Sequence, residues 1–545
     1  MIFLETMRYR NLYIINCVLL GLLISSYELL SEDETEKQIE KINQVIKAAS
    51  GSHVDNVESK KLVDAAIRGL LKELDPYSYY FTADEVEEIS NRRTGSYYGV
   101  GFHSLWMNDT LQIVGVTHNS PAEISGIKIG DKVIRINGTK IVGMDKEKVE
   151  SMFRADKSIP MTFDILKPNQ KELRNIKLRK VKLPLNSVDA AYIVDGTDVG
   201  YIAVNRFMNS TYYEVLDSLT ALNEQGMKSL IIDLRNNPGG LIDQTYMIAD
   251  EFITDGDDII ITKGKDPQYN IRYKSSPSGK YEELPIVVLI DSTTISAPEI
   301  FAGAVQDLDR GIIVGQTSYG KGVVQNPIKL TDGSELWLTV AKYFTPSGRS
   351  IHKDTLESKK NQNVIEDRFI LKDGMIFSQN VEVETGYSYN DSVPVYMSKY
   401  GRHIYGGGGI TPDYYVEECV FNELSVKLIE KNVPIKAAID FMVAHGDSIA
   451  NLYFENYKDF YDNFQINDSI LENLKVLAAK NYIDWDEQKF KEDEDLLKIS
   501  IKSMIAGMIW TNNEKYRVFN SFSNQIKKAL DIMPVAEKIL DVRKN

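Results

Sequence analysis

Three short runs constrain this fold more than anything else in the sequence: residues 229–234 (SLIIDL), 286–290 (IVVLI) and 312–314 (IIV). Each is apolar almost throughout, rich in branched residues and too short for a core helix. A strand apolar on both faces belongs in a parallel sheet with helices on each side. A fourth run, 199–204, precedes them, and helical patterns at 211–222 and about 242–252 fall between. Alternating strands and helices of this kind predict a mostly parallel α/β sheet. Ligands of such sheets sit beyond the carboxyl ends of the strands. Two segments lie at such ends, Arg235-Asn236-Asn237-Pro238-Gly239-Gly240 and the stretch from Asp291 to Gln325.

The rest of the 545-residue chain differs in character. Residues 31–90 carry apolar positions at helical spacing over 36–48 and 57–74, and Pro76 ends the second helix at Asp75. Residues 97–182 are strand-rich. Gly99-Val100-Gly101-Phe102 precedes an extended run at 111–116. Ser120-Pro121-Ala122-Glu123 opens a helix with serine as cap and proline at the first turn. Asn137-Gly138 marks a hairpin, and a helix at 146–153 and a strand at 160–166 follow. Residues 350–400 are polar and irregular, and the chain from about 420 onward is helical in pattern.

Composition excludes several functions. With 63 basic against 78 acidic residues the net charge is -15, which argues against a nucleic-acid partner. Two cysteines, Cys17 and Cys419, make neither a disulfide framework nor a paired-cysteine metal site. Six scattered histidines form no zinc-hydrolase motif, and no metal or cofactor is expected. A basic start, Met7-Arg8-Tyr9-Arg10, precedes an apolar run over residues 12–24. That is signal-peptide length and short for a membrane span. The chain is expected to be exported to the cell envelope, either periplasmic or anchored to the inner membrane through residues 12–24.

The chemistry concentrates in Asp291–Gln325. Ser296 follows a buried strand and opens a helix, where the positive dipole end favours negative charge beside it. The Ala297 N–H is a natural oxyanion donor, and the Gly239-Gly240 turn can expose a second. A serine hydroxyl needs a base. Lys321, between Gly320 and Gly322, can serve if burial away from anions lowers its pKa. Gln325 could hold it by an amide hydrogen bond, and if residues 321–325 are helical the two share a face. Taken alone, Ser296 reads more readily as a helix N-cap than as a nucleophile. Residues 315–321 also fit the G-x-x-x-x-G-K phosphate loop, but Gly322 stands where that loop needs Ser or Thr.

In combination these motifs are specific. Residues 97–182 resemble a PDZ domain. Its Gly99-Val100-Gly101-Phe102 matches the carboxylate-binding loop, where backbone N–H groups meet one anion and a strand edge accepts a peptide. Over about residues 55–415 the chain resembles the C-terminal processing peptidases, tail-specific serine peptidases with a Ser/Lys dyad. The likeness rests on Leu74-Asp75-Pro76-Tyr77-Ser78, the 233–240 turn, Ser296-Ala297-Pro298-Glu299, Gly320-Lys321-Gly322-Val323-Val324-Gln325 and the YGGGGITPD run at 405–413. It implies Ser296 as nucleophile, Lys321 as general base, Gln325 as the residue orienting the lysine, and Ala297 with Gly239 or Gly240 as oxyanion hole. Pro298 departs from the family's usual serine.

The resulting expectation is an α/β multidomain chain. It has a signal peptide or anchor at 1–30, a helical region at 31–95, a PDZ-like β-rich domain at 96–182, a peptidase core at 183–418 and a helical domain at 419–545. The expected function is serine endopeptidase action on protein or peptide substrates with extended C-terminal tails. The rival reading is a non-catalytic peptide-binding scaffold. The helical ends offer surfaces for a homodimer.

Overall fold

The computed structural model describes residues 34–107, 109–153, 158–353, 366–372, 375–381 and 394–544. The apolar run at 12–24 and Cys17 lie outside them. Among the described residues no helix is long and apolar enough to cross a membrane. The chain divides into two compact units. Of the described residues, one comprises 34–86 together with 325–339, and the other comprises those in 87–324 and 340–544.

In the smaller unit, helices at 34–52 and Ser59–Lys72 precede a short strand, Tyr79–Phe81. That strand pairs antiparallel with residues 335–337. The Asp75 carboxylate organises the intervening turn. It accepts from the N–H groups of Tyr77 and Ser78 at 2.7 Å, the Ser78 hydroxyl at 2.7 Å and the Thr339 hydroxyl at 3.1 Å. Such an Asp turn explains why the sequence reads Asp-Pro-Tyr-Ser here. The Gln325 amide donates to the Tyr77 carbonyl in the same unit.

In the larger unit a six-stranded sheet forms the centre. Its order is Val188–Ile193, Val199–Val204, Ser229–Asp233, Ile286–Ile290, Ile312–Gly315 and Tyr414–Tyr415. The first pair is antiparallel and all the others are parallel. All five residues of Ile286–Ile290 are buried, each contributing about 1.5–3 kcal/mol on leaving water. One face of the sheet is covered by helices Thr211–Glu224, Ile242–Asp250 and Ala297–Asp307. The other face is covered by the last helix, Asn524–Lys544, through Ile526, Ala529, Ile532 and Met533.

Residues 102–178 form a separate antiparallel sheet around Ile113, Val133, Phe163 and Ile165. Ser120 caps its short helix, and Asn137 and Gly138 both take positive φ in the hairpin. Helices between Glu423 and Asn520 enclose a core of their own around Phe460, Leu474, Leu497 and Ile505. One helix of that bundle, Val433–Tyr453, meets the 102–178 sheet at Gly130. A Cβ on Gly130 would lie 2.7 Å from Val443 and 3.7 Å from Ile439. Ile439 is fully buried yet lies outside the bundle's own core.

The helix that Ser296 opens runs Ala297–Asp307, with Pro298 in its first turn. Residues Val323–Lys329 form a strand, so Lys321 and Gln325 do not share a helical face. Val323 and Val324 are β-branched and favour the pleated form.

Candidate active site

The strand Ile286–Ile290 delivers the chain to the Ser296 turn at the carboxyl edge of the sheet. The turn is held from below. The Ile295 N–H donates to the Asn237 carbonyl at 2.9 Å, and the Thr294 hydroxyl to the Leu234 carbonyl at 2.9 Å. Ser296 itself has φ 70° and ψ -110°. A non-glycine residue held there costs on the order of 1–3 kcal/mol, and such strain persists only where surrounding bonds impose it. The result is a serine on a tight strand-to-helix turn, half-buried, at the helix N-terminus. With Glu299 it forms a capping box, the Glu299 carboxylate accepting from the Ser296 N–H, and the Glu299 N–H also donates to the Ser296 carbonyl at 2.9 Å.

Glu299 is the organising residue of this site. Its carboxylate, fully buried, accepts from four donors. One oxygen takes the Ser296 N–H at 2.6 Å and the Lys321 N–H at 3.0 Å. The other takes the Gly320 N–H at 2.6 Å and the Ser318 hydroxyl at 2.7 Å. Burial pushes the Glu299 carboxyl above the usual range, and the four donors pull it partly back. One side chain thus ties the Ser296 turn to the Gly320–Lys321 loop. Tyr343 adds a second tie: its hydroxyl lies 3.2 Å from the Ser296 carbonyl and bonds the Lys321 carbonyl.

The lysine loop is packed from its far side by the glycine run. The Ser318 N–H donates to the Ile410 carbonyl at 3.1 Å, and the Ile410 N–H to the Ser318 hydroxyl at 2.6 Å. Gly409 has φ 99°, and a Cβ there would sit 2.3 Å from the Ser318 carbonyl. That close approach accounts for the glycine at this position in YGGGGITPD.

The Asn236–Gly240 turn abuts Ser296 directly. A Cβ on Gly239 would lie 2.6 Å from the Ile295 carbonyl and 3.1 Å from the Ser296 Cβ, and one on Gly240 only 1.9 Å from the Phe207 carbonyl. The Gly239 N–H donates to Asn237 Oδ1 at 2.9 Å. The N–H groups of Gly240 and Ala297 have no acceptor among the described residues. Of the expected oxyanion donors, Ala297 and Gly240 are open and Gly239 is already engaged.

The expected site residues thus fall into three places. Ser296, Lys321, Ala297, Gly239 and Gly240 converge in the larger unit. Gln325 bonds within the smaller unit, on Tyr77. Gly99, Val100, Gly101 and Phe102 line a groove of about 450 Å³ between the edge strand Phe102–Met107 and helix Lys146–Phe153.

Two contributors were not assigned from sequence. Glu299 was read only as suited to the helix dipole, and Tyr343 only as part of a strand. Arg235, quoted within the 233–240 turn, gains its partners from afar. It forks onto Asp233 at 2.6 Å and 2.9 Å and reaches Glu418 at 2.9 Å, Ser523 at 3.2 Å and Gln525 at 3.2 Å. Burial opposes its charge, but Asp233 outweighs burial and raises its pKa. A capping-box glutamate three residues after the serine was the one signal that could have flagged Glu299.

Comparison with known proteins gives four family matches. Peptidase family S41 matches residues 198–359, the PDZ domain 88–166, and the activating protease CtpB N-terminal domain 25–85. A family of unknown function matches residues 425–511. A probable CtpA-like serine protease of Staphylococcus aureus (strain N315) is 32% identical over 319 residues, covering 58% of this chain and 63% of the relative. Its Staphylococcus epidermidis counterpart is 31% identical, covering 61% of this chain and 67% of the relative. The chain therefore spans just under two thirds of the length of the Staphylococcus aureus relatives it matches. A photosystem II D1 C-terminal processing protease structure is 25% identical, covering 57% of this chain and 89% of that one, with a TM-score of 0.33.

Proposed function

The chain belongs to peptidase family S41, and from that premise we propose that it is a serine endopeptidase cleaving protein substrates near their C-termini through Ser296 and Lys321. The observation that carries the reading is Glu299, whose single oxygen holds the backbone N–H groups of both Ser296 and Lys321. In this reading the substrate tail lies in the PDZ groove against Gly99–Phe102, added to the edge strand. The neutral Lys321 amine takes the Ser296 hydroxyl proton as Oγ attacks the scissile carbonyl carbon. The negative charge moves to the carbonyl oxygen, where the Ala297 and Gly240 N–H groups receive it. Collapse breaks the C–N bond, and the Lys321 ammonium returns its proton to the leaving amine. Water then attacks the acyl-enzyme by the same route and regenerates Ser296. Gln325 supports Lys321 in this proposal by its place four residues after the lysine in the motif. The basic start and apolar run at 12–24 support export to the cell envelope.

The test is cleavage of an unfolded protein by the wild type, Ser296→Ala and Lys321→Ala, with a serine-directed probe mapped by mass spectrometry. Loss of cleavage in both variants and a probe adduct on Ser296 are expected. Equal cleavage by all three overturns the reading, and tail binding without any cleavage establishes the scaffold alternative. Activity should rise with pH as Lys321 loses its proton, and a flat profile speaks against a lysine base.

A further inference from the structure

The turn that carries the open Gly240 N–H is held from several directions. Asn236, Gly239 and Gly240 take φ of 56°, 100° and 150°. Asn236 is not a glycine, so its conformation persists only where the surroundings impose it. Beyond the turn, the Gly239 carbonyl accepts from the Phe207 N–H at 3.1 Å and the Leu241 N–H donates to the Phe207 carbonyl at 2.9 Å. In its middle, the Asn237 amide donates to the Val204 carbonyl at 2.8 Å, and the Asn237 carbonyl accepts from the Ile295 N–H at 2.9 Å. Where the chain enters the turn, the Asn236 N–H donates to Asp291 at 3.1 Å and the Arg235 N–H to Asp233 Oδ1 at 3.0 Å.

The Arg235 guanidinium carries that entry anchor to the far end of the chain. Nε and Nη2 grip the buried Asp233 carboxylate, which also accepts from the Tyr201 hydroxyl at 2.6 Å. Nη1 turns the other way, to Glu418 at 2.9 Å and to Ser523 and Gln525 at 3.2 Å. Ser523 and Gln525 stand at the start of helix Asn524–Lys544. The Ser523 hydroxyl accepts from the Ile526 N–H at 3.2 Å, and Glu418 accepts from the Asn524 N–H at 2.9 Å. Helix stability alone does not account for an arginine here. A helix N-terminus is the positive end of the dipole, where a cation is unfavourable, and Glu418 has to stand between them. What arginine adds is a rigid planar fork that meets two anions at once. One group thereby sets both where the helix starts and where the turn starts.

We propose that Arg235 is a positioning residue for cleavage, through which the docked last helix and Glu418 hold the Gly240 N–H where the substrate's carbonyl oxygen becomes charged. This rests on the Ser296 reading above. The path runs from Ser523 and Glu418 through the guanidinium to the turn. Loosening it shifts an oxyanion donor and leaves Ser296, Lys321 and the PDZ groove untouched. That donor is used in the transition state, so its displacement lowers kcat and kcat/KM by the same factor and leaves KM as it was.

The experiment uses the full chain and reads three quantities: steady-state cleavage of an unfolded protein, the rate of Ser296 labelling by a fluorophosphonate probe, and the melting temperature. Glu418→Gln keeps the shape and removes the anion that Nη1 meets. Arg235→Lys keeps the charge and removes the fork. Each should lower kcat and the labelling rate together by about ten-fold with KM unchanged, a factor typical of residues coupled in one network. The double variant should lose no more than the worse single, because both break one path. Ile532 lies two turns along the same helix, on its contact with the sheet. Ile532→Val should lower the melting temperature and leave kcat at the wild-type value. Wild-type kcat in Glu418→Gln and Arg235→Lys, with lowered melting temperatures, gives Arg235 a structural role only and overturns the proposal. Losses that multiply in the double variant, or an equal loss in Ile532→Val, overturn it too. If Arg235→Lys does not fold, Glu418→Gln against Ile532→Val decides the question. A wild-type chain that the probe leaves unlabelled at Ser296 overturns the serine reading instead.

Discussion

Replacing Glu299 with glutamine tests whether one carboxylate holds the two proposed catalytic segments in register. The glutamate meets two donors on each oxygen: Ser296 and Lys321 N–H on one, Gly320 N–H and Ser318 hydroxyl on the other. Glutamine offers one oxygen, and its NH₂ must face one of these donor pairs. Turned toward Gly320, it orphans one backbone N–H and forces the Ser318 hydroxyl to reorient. Turned toward Ser296, it orphans both N–H groups that fix the proposed dyad. Each buried orphan donor costs about 1–3 kcal/mol, so the first arrangement is favoured. If that cost falls on the reactive geometry, kcat drops by roughly five- to hundred-fold, at 1.36 kcal/mol per ten-fold. Binding of tails in the PDZ groove should not change.

The pH dependence has two opposite signs. Burial raises the folded-state pKa of Glu299 above its ordinary value of 4.5. Its contribution to stability is therefore complete below that value and falls as pH rises through the folded pKa. Activity needs the opposite form, because only the ionised carboxylate accepts from all four donors. The stability deficit of Glu299→Gln against wild type should accordingly be larger at acidic than at neutral pH, while its kcat deficit grows toward neutral pH. Steady-state kinetics on an unfolded substrate and thermal melts across that range read both. A glutamine variant with wild-type kcat at neutral pH refutes the clamp, and a stability difference independent of pH refutes the raised pKa.

Three further outcomes follow from the same geometry. Gly240→Ala would drive a methyl to within 1.9 Å of the Phe207 carbonyl at φ 150°. It should cost several kcal/mol, on the order of the larger single-site effects, and abolish cleavage; a soluble, active Gly240→Ala protein contradicts the close approach. Tyr343→Phe removes the hydroxyl between the Ser296 and Lys321 carbonyls. It should lower kcat with a stability loss of about 0.5–1.5 kcal/mol, read by kinetics and melts together. Val443→Asp places a charge at the Gly130 notch. Hydrogen exchange should quicken at residues 126–131 while the bundle core around Leu497 stays protected, and uniform exchange across both segments contradicts a local contact.

What the sequence made legible was whatever depends on local chemistry. The central strands were readable because parallel strands buried on both faces leave unbroken apolar runs, as at Ile286–Ile290. The Ser120 cap, the Asn137-Gly138 hairpin and the helix after Ser296 carry signatures within four residues. The rest depends on partners far away in the chain. Glu299 meets Lys321 across 22 positions and Arg235 meets Glu418 across 183, and no spacing rule reports such pairs. The conditional helical face for Lys321 and Gln325 does not form, since the β-branched Val323 and Val324 favour a strand over a helix.

Pro298 shows how the two kinds of information meet. From sequence it was the chain's one departure beside its proposed nucleophile. In the structure it lies in the first turn of helix Ala297–Asp307, where a backbone N–H has no intrahelical acceptor to lose. The bonds that fix Ser296 run through its own N–H, its carbonyl and the Glu299 carboxylate. None of them passes through residue 298. The substitution therefore falls at a position the clamp does not use, and a chain carrying Pro298→Ser should gain no activity from it.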